Sequence, residues 1–219
     1  MPKKAKLAEL RRLPSQSRAL DTVETLLTAA KAVLVERGYA KTTTLHIADK
    51  AGISVGSLYQ YFGNKEGVVQ ALLKRHVEKS QQLLLSGLDQ AAHQPFETVV
   101  RTTVRSMVAF HCENYGICDV LYNELPRDGD FRILAEHFAQ LTRTIEIFLQ
   151  AHKEKVRPQN LKLAANMIVH GITGIYFGVD PAFKESSHEE LTREIEEMVL
   201  LYLLSGKRVQ SGGSPWSSF

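Results

Sequence analysis

Between Thr42 and Gly67 the chain carries hydroxyl, amide and ammonium side chains at a spacing suited to gripping a polyanion. Read as a short helix, the segment after Ser54 turns Val55, Leu58 and Phe62 to one face and leaves Gly56, Ser57, Gln60 and Tyr61 elsewhere. The hydroxyls of Ser57 and Tyr61 suit phosphate oxygens, and Lys65 adds a contact through charge. Gln60 has the donor and acceptor needed for an adenine edge. Gly56, lacking a side chain, lets a helix approach a nucleic-acid backbone closely. This is the chemistry of duplex recognition rather than of bond breaking.

Such side chains must be held by short, sharply joined helices. A threonine before Leu45 can cap a two-turn helix, Gly52 supplies the left-handed residue of a tight turn, and Ile53 plugs the gap between helices. Ser54 can cap the next helix, which completes a helix-turn-helix at about residues 43–62. Ahead of it, Val23, Leu26, Leu27, Ala30, Val33 and Leu34 form a helical stripe that Gly38 should stop. Leu45, Ile47 and Ala48 are expected to face that stripe.

Ala51-Gly52-Ile53-Ser54, Gly56-Ser57-Leu58-Tyr59, Tyr61-Phe62 and Asn64-Lys65-Glu66 follow Thr43-Thr44 and a helix ending Glu36-Arg37-Gly38-Tyr39. Together they resemble the DNA-binding head of the TetR family of transcriptional regulators, over about residues 18–78. The resemblance implies a homodimer whose two heads read successive major-groove faces of a palindromic, double-stranded operator. By position it assigns Thr43, Ser57, Tyr59, Tyr61 and Lys65 to phosphates and Gln60 with its neighbours to bases, so the candidate DNA contacts are Thr43, Thr44, Ser54, Val55, Gly56, Ser57, Tyr59, Gln60, Tyr61 and Lys65. Val55 departs from the family, where that position is often basic. It either loses a phosphate anchor or offers a thymine-methyl contact.

The rest of the chain reads as helices too, giving an all-α fold of about nine. Asn64 can cap a long fourth helix, and Tyr115–Leu125 reads as a short sixth ended by Pro126. Phe131, Leu134, Phe138, Leu141, Ile145 and Phe148 step at helix-packing intervals in the seventh, Pro158 is placed to open the eighth, and Ser187 can cap the ninth. Residues 79–206 then make an effector-binding and dimerisation body, with a basic arm at 1–17 and a flexible tail at 207–219. The arm (Lys3, Lys4, Lys6, Arg11, Arg12) could follow phosphates or simply be a solvated tail.

Polar groups inside apolar helices mark a candidate pocket for a partly hydrophobic small molecule: His111, Tyr115, Cys118 and Tyr122, faced by His137 and Phe138. The family resemblance implies that the last two helices pair with their copies, through Ile168, Gly171 and Ile175 with Ile195, Met198 and Tyr202; Gly174 and Gly178 would also ease close approach. His111-Cys112 with Cys118 is a poor metal signature, lacking a close Cys pair and a fourth ligand, so no metal or other cofactor is expected.

Composition agrees with a binding protein. Residues 1–79 hold twice as many basic as acidic side chains, while the remainder is net acidic, the footprint of a nucleic-acid-binding head on an acidic body. Hydrophobic residues make up 44% and charged residues 23%, which excludes global disorder. Two cysteines exclude a disulfide scaffold and suit a reducing cytoplasm; no secretory signal or membrane span is legible. The expectation is a cytoplasmic ligand-responsive repressor and no enzyme. The alternatives are an adaptor of the same fold that docks a protein, or a helical enzyme using the scattered His, Cys and Tyr residues.

Overall fold

The computed structural model describes residues 17–90, 94–125, 132–177 and 187–204. Most of the basic arm, the serine-rich tail, Pro126, Phe131 and Gly178 lie outside the described residues. Those described form helices and their joints, with no strand among them.

The head comprises α1 (Ser17–Lys41), α2 (Thr44–Ala51), α3 (Val55–Tyr61) and the start of α4 (Lys65–Gln90). Gly38 takes φ +73°, interrupting α1 where the apolar stripe ends. Thr42 then donates its hydroxyl to the Gly38 carbonyl at 2.7 Å and the chain turns into α2. Every residue of the α1 stripe is buried, as are Ile47, Ala48, Leu58 and Phe62. Leu45, expected to face α1, instead stands in solvent, and Ile47 and Ala48, with Ala51 partly buried, seat the helix. The Asn64 side chain accepts from Gly67 N at 2.8 Å, capping α4.

The body continues through α5 (Phe96–Glu113), α6 (Tyr115–Asp119), α7 (Ile133–Ala151), α8 (Leu161–Phe177) and α9 (His188–Leu204). Two expectations are corrected here. The sixth helix does not run unbroken: after Asp119 it widens into a π-type turn, Val120–Glu124, which buries Val120, Leu121 and Tyr122 together. Pro158 does not open α8. Asn160 does, its side chain accepting from Leu163 N at 2.9 Å, since a side-chain acceptor satisfies an orphan amide that proline can only omit. Ser187 caps α9 as expected, accepting from Glu190 N at 3.1 Å.

Among the described residues two large apolar cores stand out, with a smaller cluster of Leu84, Leu141 and Val169 beside them. One joins the head to α6 and its π-type turn, through Ile117, Val120, Leu121 and Leu125. The other packs α5, α7, α8 and α9 around Phe96, Val104, Leu149, Ile168, Ile195 and Leu203. Glu196, 2% exposed, ties α9 to α5 by accepting from Arg101 at 3.2 Å and Arg105 at 3.0 Å. The expected boundary near residue 78 falls inside α4, so head and body share one continuous helix. No described helix is long and apolar enough to cross a membrane.

Candidate nucleic-acid interface and effector region

The turn between α2 and α3 is built from local hydrogen bonds. Thr43 is the α2 cap, its hydroxyl accepting from His46 N at 3.2 Å. Gly52 adopts φ +66°, and Ile53 N donates back to the Ala48 carbonyl at 3.0 Å. Ser54 accepts from Ser57 N at 3.1 Å and its hydroxyl lies 2.9 Å from that of Ser57. Thr43 and Ser54 are therefore primarily caps, which presents their helices rather than leaving their hydroxyls unengaged.

Gln60 and Gly56 are exposed on the outer face of α3. A Cβ at Gly56 would meet nothing nearer than the Ser54 hydroxyl at 3.8 Å, so the protein's own packing does not require glycine there. Tyr59 is 42% exposed and its hydroxyl lies 3.1 Å from that of Thr44, which sets two hydroxyls side by side at the start of α2. Val55 and Tyr61 are half-buried against the head core, so the aromatic body of Tyr61 anchors α3. Lys65 donates to the Tyr39 carbonyl at 3.1 Å and stands 4.1 Å from the centre of the Tyr39 ring. Its ammonium is thereby fixed beside the head with donors to spare. Burial and the neighbouring Glu66 raise the Tyr39 hydroxyl pKa, keeping that phenol neutral.

In the body, most of the expected pocket residues do converge, but around a side chain that sequence reading missed. His76 of α4 stacks on Phe110 at 5.0 Å, stands edge-on to Tyr122 at 6.0 Å, and places Nε2 3.5 Å from Cys118 Sγ. His111 Nδ1 lies 3.7 Å from the same sulfur. Tyr122 leads on to Phe138 at 5.8 Å, and Phe138 to His170 at 5.5 Å. His137 is buried with no hydrogen-bond partner at either ring nitrogen. Tyr115, at the start of α6, is only half-buried.

Burial dominates the electrostatics of this cluster. It lowers the histidines, His76 to about 3 and His111 and His137 to about 4, with mutual repulsion contributing at His76 and His111. It pushes the Cys118 thiol up to about 12 and raises the Tyr122 phenol. At neutral pH the cluster is uncharged.

Two open clefts adjoin it. One of about 620 Å³ between α7 and α8 is lined by Leu134, Phe138 and Thr142 with Arg132, Lys162 and His170. The other, of about 490 Å³, is lined by Lys31, Arg75, His76, Glu78, Phe110 and Asn114. Of the six expected pocket residues only Phe138 lines the first cleft; Cys118, Tyr122 and His137 are buried, and His111 and Tyr115 are half-buried.

The expected dimer residues divide. Ile168 and Ile195 point into their own protomer's core, because each closes the packing of α8 and α9 on α5, and so have no side-chain area left to offer a second copy. Met198 and Gly171 are exposed, and Ile175 and Tyr202 are half-buried. Leu163, Met167 and Leu201 join them as large exposed apolar residues, and Tyr202 donates its hydroxyl to Met167 Sδ at 3.5 Å. A Cβ at Gly171 or Gly174 would meet nothing within 4 Å, so that side of α8 is open.

Residues 26–72 match the model of the bacterial regulatory proteins of the tetR family, and residues 95–203 match a tetracyclin repressor-like C-terminal domain. An HTH-type transcriptional regulator from the lacX 3′ region of Lactococcus lactis is 30% identical over 161 residues, covering 70% of this chain and 81% of that protein. The HTH-type transcriptional repressor KstR2 of Rhodococcus jostii is 38% identical over 90 residues, 39% of this chain. The chain spans less than half the length of the first relatives it matches, 43% in the case of KstR2. Among solved structures, the SmeT–triclosan complex, SmeT being the repressor of a Stenotrophomonas maltophilia efflux pump, superposes with a TM-score of 0.68 at 21% identity, over 89% of this chain and 98% of that one.

Proposed function

The chain belongs to the TetR family of bacterial regulatory proteins, and on that premise we propose that it is a homodimeric transcriptional repressor released from a palindromic operator by a small-molecule effector. The observation that carries this reading is the capped helix-turn-helix, in which α3 stands clear of the body with Gly56 and Gln60 outward. A helix so presented enters a major groove, with Tyr59, Thr44, Ser57 and Lys65 toward phosphates and Gln60 toward a base edge.

Dimerisation falls to the exposed face of α8 and α9: Leu163, Met167, Gly171 and Gly174 on one helix, Met198 and Leu201 on the other. Apolar side chains of this size left in water favour a partner, and a twofold axis pairs the same patch with itself. The cleft between α7 and α8 is the effector site. Its apolar floor and flanking Arg132, Arg143 and Lys162 suit a partly hydrophobic molecule with an anionic group. An open cleft there favours a sensor over an adaptor that docks a protein. KstR2 is a repressor and SmeT was solved with triclosan, which supports the same assignment for this chain.

Release follows from how the head is attached. Lys31 Nζ donates to Asn114 Oδ1 at 2.8 Å, Tyr39 N donates to Glu124 Oε2 at 2.7 Å, and a Cβ at Gly116 would sit 3.0 Å from Val35. Movement of α6 or its π-type turn is therefore passed to α1. An effector that favours one placement of α6 shifts the dimer toward a head separation that no longer spans successive major-groove faces. The test is binding of the full chain to duplex DNA from around its own coding region, against scrambled duplex, across a salt series. Selective binding with a steep salt slope, relaxed in specificity by Gln60→Ala, supports the reading. Equal, salt-insensitive binding to both duplexes would overturn it.

A further inference from the structure

We propose that His76, His111 and Cys118 bind a transition-metal ion of the Zn²⁺ class, a site that no sequence motif in this chain announces. The three residues come from α4, α5 and α6, and their donor atoms all lie within 4.8 Å of one another. The nitrogen–sulfur separations are 3.5 Å for His76 and 3.7 Å for His111. A tetrahedral ion with metal–nitrogen bonds of 2.0–2.1 Å and a metal–sulfur bond of 2.3 Å sets nitrogen and sulfur about 3.6 Å apart. Both observed edges match that figure.

Without an ion, the thiol can donate to one imidazole nitrogen and accept weakly from the N–H of the other, so the same three side chains are held in place before an ion enters. Two imidazoles with one thiolate form a borderline-soft set, which selects Zn²⁺ over hard cations such as Mg²⁺ or Ca²⁺. Three protein ligands leave a fourth position for water, as in open zinc sites. Phe110 and Tyr122 wall the site, and the cleft of about 490 Å³ that reaches His76 supplies an entry path. The ion replaces the Cys118 thiol proton, which passes to solvent, and no oxidation or reduction is involved.

The site is placed to act on the head. His76 lies on the helix that continues out of the DNA-binding domain, and Cys118 on the helix that packs against α1. An ion joining them ties α4 to α6 and changes operator affinity; that regulatory step rests on the reading given under the proposed function, whereas the site itself does not.

The experiment is titration of the purified, reduced full chain with Co²⁺ and then Zn²⁺, followed optically. One Co²⁺ per protomer, with visible bands of tetrahedral intensity and a thiolate charge-transfer band that Zn²⁺ abolishes, is the expected result. Cys118→Ser removes the charge-transfer band and weakens binding by more than about 100-fold, with helix content retained by circular dichroism, while Cys112→Ser leaves both unchanged. His76→Gln tests the same site from α4 should the cysteine variant unfold. Absence of the band in the unaltered chain, or its persistence in Cys118→Ser, overturns the site. Operator affinity with and without Zn²⁺ is read separately. A Co²⁺ spectrum with unchanged DNA affinity overturns the regulatory step and leaves the site standing; DNA binding without a Co²⁺ spectrum overturns the site and the regulatory step with it, and leaves the reading as a DNA-binding regulator standing.

Discussion

Gly56 shows how a single residue divides between folding and function. Its position would accept a methyl group with only an ordinary 3.8 Å contact, and alanine is the better helix former. Gly56→Ala is therefore expected to leave stability unchanged or raise it by up to ~1 kcal/mol, measured by urea unfolding. The same variant should weaken operator binding at least several-fold by gel shift, because in the proposed complex the added methyl group would stand between α3 and the DNA backbone. His137 makes the opposite case, a buried group whose protonation opposes folding. Burial holds it near 4 against its ordinary 6.5, so as pH falls below 6.5 the unfolded chain takes up the proton first. Its contribution is intact above about 6.5 and is lost toward 4 at about 1.4 kcal/mol per pH unit. His76 and His111, which interact with it, share that acid slope. His137→Leu should hold or gain stability at pH 7.5 and flatten the decline between pH 6 and 4.5 by about one proton. An unchanged slope would show that His137 is not buried neutral.

Among the elements, α9 is held on α5 by one buried carboxylate as well as by apolar packing. Glu196 accepts from both Arg101 and Arg105, whose side chains reach solvent on the far side. Removing the acceptor leaves guanidinium groups that water can still solvate, so the loss is that of charged hydrogen bonds and not of a stranded buried charge. Glu196→Ala should cost about 1.5–3 kcal/mol in thermal or urea unfolding. Glu196→Gln keeps the packing and one acceptor and should cost less. A null effect of both would mean that the α5–α9 contact is carried by Val199, Leu203 and their apolar neighbours alone. The short α6 with its π-type turn is the other decisive element. It belongs to the same core as the head, so events at Cys118 and Tyr122 are mechanically adjacent to α1.

At the scale of the whole molecule, the exposed apolar stripe on α8 and α9 is the surface proposed above for dimerisation. Leu163, Met167 and Leu201 are more than half exposed in the single chain, and Met198 is 42% exposed. Since each is already about half buried, covering the rest is worth about 1–1.5 kcal/mol apiece, and a twofold interface counts each twice. Met167→Glu or Leu201→Glu should shift the equilibrium to monomer, weakening the dimer by about 100-fold or more in sedimentation equilibrium, with helix content unchanged. Operator affinity should fall with it, since one head reads only half a palindrome. A dimer that survives both charges would place the interface elsewhere.

What the sequence by itself determined is what local forces decide. Caps at Thr43, Ser54, Asn64 and Ser187, the left-handed residues Gly38 and Gly52, and the buried stripe of α1 are all set by neighbours a few positions away. The helix-turn-helix was legible for that reason, and with it the exposed face of α3. Pro158 and the unbroken sixth helix misled because side-chain capping by Asn160 and tertiary packing of Val120–Tyr122 outweigh simple propensity. Tertiary structure alone decided which faces of α8 and α9 stay open, since Ile168 and Met167 are adjacent in sequence yet one is buried and the other exposed. It alone also brought His76 to Cys118 across 42 residues, because a contact between helices that are not neighbours in the chain leaves no periodic trace in either one.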